Sequence, residues 1–254
     1  MRKRLSLFFL ALAACSVSFS AAQTPSTIGQ IEVLSTEMEA FADAATKIEV
    51  LAGGFTWTEG PVWIADDGGG HLLFSDIPRN SIFRWSKSRG IELFMCPSGY
   101  TGVSYYGLEP GTNGLTLDPQ RRLTMCEHGD RRVSVLTRGG GKMTLVDRFQ
   151  GKRLNSPNDL IFDKSGNLYF TDPPYGLPER ADDPRRELDF CGVYRLSTDG
   201  KLSLLTKEMT RPNGIGLSPD EKTLYVAQSD PSRPIWMAFP IQSDGRLGKG
   251  KVLH

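Results

Sequence analysis

One phrase, a side-chain oxygen followed by a turn residue and then a strand, recurs along the chain and limits its fold more than any other feature. Arg153-Leu154-Asn155-Ser156-Pro157-Asn158-Asp159-Leu160 is the fullest copy. Thr112-Asn113-Gly114-Leu115 and Pro212-Asn213-Gly214-Ile215 repeat it, and Thr58-Glu59-Gly60-Pro61 is a diverged copy with glutamate in place of asparagine. The openings at 59, 113, 158 and 213 lie 54, 45 and 55 residues apart. A self-similar period of this size marks a repeat architecture.

Each opening leads into four short strands. They are predicted at 61–65, 71–75, 81–86 and 91–95; at 114–118, 123–126, 132–137 and 142–147; at 159–163, 167–171, 192–196 and 201–206; and at 214–218, 223–228, 235–241 and 246–253. The turn between the first two strands is polar each time, as in Asp66-Asp67-Gly68 and Asp163-Lys164-Ser165-Gly166. The 27 glycines and 16 prolines, spread along the chain, suit a turn-rich all-β protein. Four-stranded units at this spacing, with no helices between them, predict the blades of a β-propeller. The first strand of each blade then lines the central channel, and residues 59, 113, 158 and 213 meet at one of its mouths. For a single copy, Asn-Gly and Asn-Asp as plain turn formers explain the phrase equally well; four copies in register weaken that explanation.

The N-terminus carries an export signal: Met1-Arg2-Lys3-Arg4, an apolar run over 5–14 that persists to about 19, and the small residues Ser20-Ala21-Ala22. Leu12-Ala13-Ala14-Cys15 supports a competing reading as a lipoprotein signal, with a lipid anchor on Cys15. The run falls short of the ~20 apolar residues of a membrane span, so no transmembrane segment is expected. Both readings place the folded domain outside the cytoplasm, periplasmic or secreted. Residues 1–22 are thus the signal, 23–46 a linker with one short helix near 38–45, and 47–254 a partial propeller opened by a strand at 47–52. A net charge of +1 argues against a nucleic-acid partner. Cys96, Cys126 and Cys191 permit at most one disulfide and have no zinc-site spacing.

One carboxylate and several amide oxygens on rigid strands form a hard, weakly charged donor set. Such a set suits calcium or another oxygen-preferring divalent ion. A cation there would polarise a carbonyl, which points to ester or lactone hydrolysis. Other chemistries find no support. There is no G-x-S-x-G elbow, no serine or cysteine partner is visible for His71, His128 or His254, and the glycine runs lead into strands.

Five stretches, Phe55-Thr56-Trp57-Thr58-Glu59-Gly60-Pro61-Val62-Trp63, Cys126-Glu127-His128-Gly129-Asp130-Arg131-Arg132, 152–159, Thr171-Asp172-Pro173-Pro174-Tyr175-Gly176 and Arg211-Pro212-Asn213-Gly214, carry a family resemblance. From about residue 47 onward the chain resembles the senescence marker protein/gluconolactonase/luciferin-regenerating enzyme family. The Leu-Asn-Ser-Pro-Asn-Asp and Thr-Asp-Pro-Pro-Tyr-Gly phrases are similar to those of bacterial gluconolactonase-like members. The resemblance implies a six-bladed propeller with a divalent metal on its axis, calcium first, with zinc, manganese or magnesium as alternatives. It implies Glu59, Asn158 and Asn213 as metal ligands or near-ligands, with substrate contact as an alternative or additional role for Asn158, and Asn113 as pocket-lining. It further implies an aspartate opening a fifth blade, within Pro-Asp-Gly, as ligand and general acid/base. No residue here matches that motif, so the catalytic acid/base is unknown. The chain reads as truncated, with about four of six blades present; a complete four-bladed ring is the alternative.

His128 could reach substrate at the channel mouth or serve as a structural histidine. Arg153 could orient an acidic or hydroxylated substrate or be a solvated loop residue. Tyr175 walls the pocket or simply packs. Asp159 is expected to support Asn158 from behind. Trp57, Trp63, Trp85 and Trp236 are expected to pack. The function this implies is an exported, metal-dependent hydrolase of sugar lactones, a gluconolactonase-like enzyme. A catalytically impaired binding platform for a ligand or protein is the alternative, and an ester or organophosphate hydrolase of the same architecture is a third reading.

Overall fold

Short polar turns between alternating strands fold most of the chain into antiparallel meanders. The computed structural model of the protein describes residues 26–254. The expected signal at 1–22, with Cys15, lies outside the described residues. Two compact units are present, one ending at Val50 and one running Leu51–His254.

In the first unit, β1 (Ser26–Thr27) pairs antiparallel with β2 (Glu49–Val50). The strand expected at 47–52 is therefore shorter and has its own partner. The expected helix at 38–45 is instead a 3₁₀ turn, Thr36–Ala40, opened by Ser35, whose hydroxyl accepts from Glu37 N at 3.3 Å. It stops early because Asp43 Oδ1 takes Ala45 N (2.9 Å) and Thr46 N (2.8 Å). A short side-chain acceptor here competes with helical bonding. No helix among the described residues is long and apolar enough to cross a membrane.

The second unit holds four four-stranded sheets in a propeller arrangement. Blade one is β3 (Thr58–Ile64), β4 (His71–Asp76), β5 (Ser81–Ser86) and β6 (Gly90–Met95); blade two is β7 (Thr112–Leu117), β8 (Leu123–Glu127), β9 (Arg132–Leu136) and β10 (Lys142–Val146). A hairpin, β11 (Arg148–Phe149) and β12 (Lys152–Arg153), follows. Blade three is β13 (Leu160–Phe162), β14 (Leu168–Asp172), β15 (Gly192–Leu196) and β16 (Leu202–Thr206); blade four is β17 (Pro212–Leu217), β18 (Thr223–Gln228), β19 (Ile235–Pro240) and β20 (Lys251–Val252). The hairpin was not expected from sequence. Its turn is Gln150-Gly151, with φ of 51° and 81°, the two left-handed residues that a tight primed turn needs.

The polar turns hold because their acids fold back on the backbone. Asp66 Oδ1 accepts from Gly68 N (2.8 Å) and Gly70 N (3.0 Å), Asp118 Oδ1 from Gln120 N (2.9 Å) and Arg122 N (2.8 Å), and Asp163 Oδ1 from Asn167 N (2.8 Å). The core is three layers, one between each pair of successive blades, and strand alternation fills them. On β14, Leu168 and Phe170 face the layer toward blade two, and Tyr169 faces the layer toward blade four. On β8, Met125 packs toward blade one and Cys126 toward blade three. Three tryptophans are exposed, and alternation explains the two that lie on strands, Trp63 and Trp236. Trp57, Trp63 and Trp236 are 63%, 50% and 61% exposed, against the expectation of packing. Val62 and Ile64 beside Trp63, and Met237 beside Trp236, take the buried face. Cys96, Cys126 and Cys191 are free thiols.

Candidate active site

The four repeated openings stand side by side on the innermost strands, and each is a β-bulge. Glu59 pairs with Ser75 and Val62 with Leu73, so three steps on β3 face two on β4. The same slip occurs between Thr112 and Leu115 on β7, and between Pro212 and Ile215 on β17. In blade three, Thr171 faces two residues at once: its carbonyl takes Asn158 N (2.9 Å) and its N–H goes to Asp159 O (3.0 Å). A bulge re-aims a side chain at a sheet's rim. Asn-Gly is read here as a bulge rather than as a hairpin turn.

The innermost strands approach one another closely at these bulges. A Cβ on Gly60, whose φ is 56°, would lie 2.2 Å from Asn113 O, and one on Gly114 would lie 2.7 Å from Asn158 O. Gly114 N donates to Asn158 O at 2.7 Å. Blade three carries Asp159 at the glycine position. Its carboxylate bridges outward, taking Ile215 N of blade four at 3.0 Å and Leu160 N at 2.9 Å. Burial raises its pKa, with the Glu59 charge adding to this against the two backbone donors. Hydroxyls of the second strands complete the joints: Ser75 Oγ donates to Asn113 O (2.8 Å) and Thr171 Oγ1 to Asn213 O (2.7 Å).

Each second strand ends on a buried acid or amide, and in three blades it holds the loop entering the opening. Asp76 accepts from Thr56 N (3.1 Å) and Trp57 N (3.1 Å), Asp172 from Asn155 N (2.8 Å), and Gln228 from Thr210 N (2.8 Å). Thr56, Asn155 and Thr210 each lie three residues before Glu59, Asn158 and Asn213. The corresponding residue in blade two is Pro110, which has no N–H to donate. Glu127, at the latch position there, turns instead to Arg132 (2.9 Å), Lys142 (3.1 Å) and the Ser134 hydroxyl.

The three latched openings each present an uncommitted oxygen. Glu59 Oε1 takes Trp57 Nε1 at 3.0 Å, which leaves Oε2. Asn213 Nδ2 donates to Ser229 Oγ at 3.1 Å, which leaves Oδ1. Asn158 is 2% exposed, yet its side-chain amide makes no hydrogen bond within the described residues. In the unlatched blade, the Asn113 amide meets His128 Nε2 at 3.4 Å. His128 is fully buried, and burial pushes its pKa down to about 4, so the ring is neutral. Glu109 Oε2 lies 3.8 Å from His128 Nδ1, too far for a hydrogen bond. Burial raises the pKa of Glu109, against the attraction of Arg180, and the Glu59 charge raises it further. Tyr175 OH meets the same Ser229 hydroxyl that Asn213 uses, so it walls the mouth beside that opening.

Arg153 lines a different pocket, whose walls include none of Glu59, Asn113, Asn158, Asn213 or Tyr175. Glu109 and the latch residues were missed in the sequence. Glu109 sits in an irregular loop with no periodic signal. The latch had a signal, because each second strand closes on Asp, Glu or Gln. Among the described residues no three His, Cys, Asp or Glu side chains cluster as a metal site. A cation would therefore depend on the amides. One free carboxylate oxygen with two free amide oxygens fits a hard divalent ion.

The chain belongs to the SMP-30/gluconolactonase/LRE-like family, whose model matches residues 57–254. It is 43% identical to a gluconolactonase of Zymomonas mobilis over 225 residues, which is 87% of this chain and 62% of that protein. A solved gluconolactonase from Xanthomonas campestris aligns with a TM-score of 0.77 at 32% identity, covering 93% of this chain and 75% of that one. Regucalcin of Agrobacterium tumefaciens, a calcium-binding protein, aligns with a TM-score of 0.57 at 19% identity over 80% of this chain and 62% of its own, a likeness of fold alone. The chain thus spans less than two thirds of the curated gluconolactonase it matches.

Proposed function

We propose that the chain forms the site of a metal-dependent lactone hydrolase acting on sugar lactones such as gluconolactone. The observation that carries this reading is the set of three latched bulges, each with one free oxygen, on Glu59, Asn158 and Asn213. The relatedness to gluconolactonases supports the substrate class. The three residues would hold a divalent ion, calcium first. When bound, such an ion polarises the lactone carbonyl and lowers the pKa of water. Tyr175 and Asn113 border the ring hydroxyls, and neutral His128 fixes the Asn113 amide. Glu109, held above the ordinary carboxylate range by burial, is the residue of the mouth suited to hold a proton. The expected export signal would put this chemistry in the periplasm or outside the cell, with a lipid anchor at Cys15 as the variant form.

The test is opening of glucono-1,5-lactone above its spontaneous rate, by chelated protein and after adding calcium, manganese or zinc. Acceleration that returns with metal and is lost in Glu59→Gln supports the reading. No acceleration with any of the three ions sinks it. Cell fractionation decides the location.

A further inference from the structure

An open pocket of about 790 Å³ in the second unit lies beside the segments carrying His128 and Asn158. Its walls include Tyr100, Tyr106, Arg131, Arg132, Arg153 and Arg185. Two of these four arginines are neutralised. Arg185 forms a forked pair with Asp183, its Nη2 at 2.7 Å, and Arg132 reaches Glu127 at 2.9 Å and Asp130 at 3.2 Å. The other two are not: among the described residues, neither Arg131 nor Arg153 has a carboxylate within ion-pair distance.

Arg131 is 6% exposed. Its guanidinium donates to the carbonyls of Leu154 (2.8 Å), Asn155 (3.0 Å) and Arg185 (2.7 Å), and its Nη2 has no partner. Arg153 donates from Nη2 to Asp130 O at 2.6 Å, and its Nε has no partner. The carboxylates of the pocket wall are engaged elsewhere. Asp130 takes Thr101 N (3.0 Å) and the Thr101 hydroxyl (2.7 Å), Glu187 takes the Arg153 backbone N–H (2.7 Å), and Asp147 lies 3.9 Å from Arg148. Burial and then the neighbouring Arg153 disfavour charge on Arg131; Asp172 and Glu187 oppose them more weakly. Both arginines line the pocket, have no carboxylate paired and keep a donor unspent, and an oxyanion is the partner a guanidinium matches in forked geometry. Tyr100 and Tyr106, with ring centroids 4.6 Å apart and planes tilted by 39°, supply an aromatic wall. Such a wall suits a hydroxylated carbon chain.

We propose that this pocket binds a small hydroxylated anion, a sugar acid or a sugar phosphate, through Arg131 and Arg153, at a site distinct from the channel mouth. The site does not depend on the chemistry assigned to the channel. It does touch the same segments: Arg131 follows His128 by three residues and holds the Asn155 carbonyl, while the Asn155 N–H is the one latched by Asp172. Occupancy should therefore stiffen the loop that presents Asn158.

Calorimetric titration and thermal melting of the full chain test this, with gluconate, inorganic phosphate and glucose 6-phosphate as probes and sodium chloride at matched ionic strength as reference. Saturable binding of at least one probe with a raised Tm is expected. It should persist in Asn158→Ala and weaken by about tenfold or more in Arg153→Gln, the effect of losing one charged hydrogen bond. Preference for gluconate identifies a carboxylate site, and preference for the phosphates a phosphate site. Arg153→Lys keeps the charge without the fork and should bind between wild type and Arg153→Gln; it also serves if Arg153→Gln does not fold. No saturable binding beyond the chloride reference, unchanged affinity in Arg153→Gln or Arg153→Lys, or binding abolished by Asn158→Ala would each overturn the proposal.

Discussion

Blades two and three enter the channel with the same phrase and hold it in opposite ways. In blade three, Asp172 latches Asn155 N, and the Asn158 amide is left free. In blade two, Pro110 offers no N–H, Glu127 spends itself on Arg132, Lys142 and Ser134, and the Asn113 amide is already bound to His128. The repeat thus fixes where an oxygen lies, while the latch decides whether the loop behind it is held from the backbone. Blades one and four follow blade three.

The largest expected effect separates the two acids. Glu127→Ala leaves Lys142 without a carboxylate and Arg132 with Asp130 alone beside a buried vacancy, and should destabilise the fold by about 3 kcal/mol or more. It should leave the expected stabilisation by calcium in place. Urea unfolding with and without calcium reads both quantities, and a lost calcium response would break the comparison.

Next come the two asparagines. Asn158→Ala should lower kcat/KM for gluconolactone by about a hundredfold, roughly 2.7 kcal/mol, as for a lost polar contact to reacting groups. It should also remove metal stabilisation. Asn113→Ala should chiefly raise KM and keep the metal response. Equal loss of metal response in both variants would make the four openings equivalent after all.

The pH dependence sharpens the contrast, because the signs differ. Burial raises Asp172 from 3.8 to about 7. Its contribution to stability is full below pH 3.8 and is lost as pH rises through about 7. Burial depresses His128 from 6.5 to about 4, so its contribution is present above pH 6.5 and is lost as pH falls through about 4. Between these limits Asp172→Asn should remove a decline in stability with rising pH, and His128→Gln should remove an increase. Melting curves at intervals across this range check both slopes.

The smallest effect is at Pro110. Pro110→Ala restores an N–H, but Glu127 is already tied to two cations, so the stability change should stay below about 1 kcal/mol. A larger gain, with Glu127 released from Lys142, would show that the proline alone sets the blade apart.

Much of the fold was legible because strands and polar turns are local. Asp66, Asp118 and Asp163 close turns by hydrogen bonds to residues two to four positions on, so their spacing carries the information. The bulges were not legible, since an extra residue is a relation between β3 and β4 or between β7 and β8, and Asn-Gly alone reads as a turn. The hairpin of β11 and β12 escaped because Gln150 is an unusual residue at a left-handed position. Asp159 was read as a support behind Asn158, and it spans to Ile215 of the next blade. Arg153 was grouped with the channel by its closeness in sequence to Asn158, but β12 ends on it and it lines the pocket of Arg131 and Tyr106.

The bulge at Gly60 also bears on how such a chain tolerates insertions and deletions. Side chains on a strand alternate between its two faces, so a one-residue slip inverts every position beyond it. Deleting Gly60 would bring β3 and β4 back into even pairing, and Glu59 would then face away from Asn113 and Asn158. The extra residue keeps two incompatible registers in one strand, one serving the blade core at Val62 and Ile64 and the other serving the channel at Glu59. Within this chain the opening residue varies between blades, glutamate once and asparagine three times, while each blade keeps the extra residue that follows it.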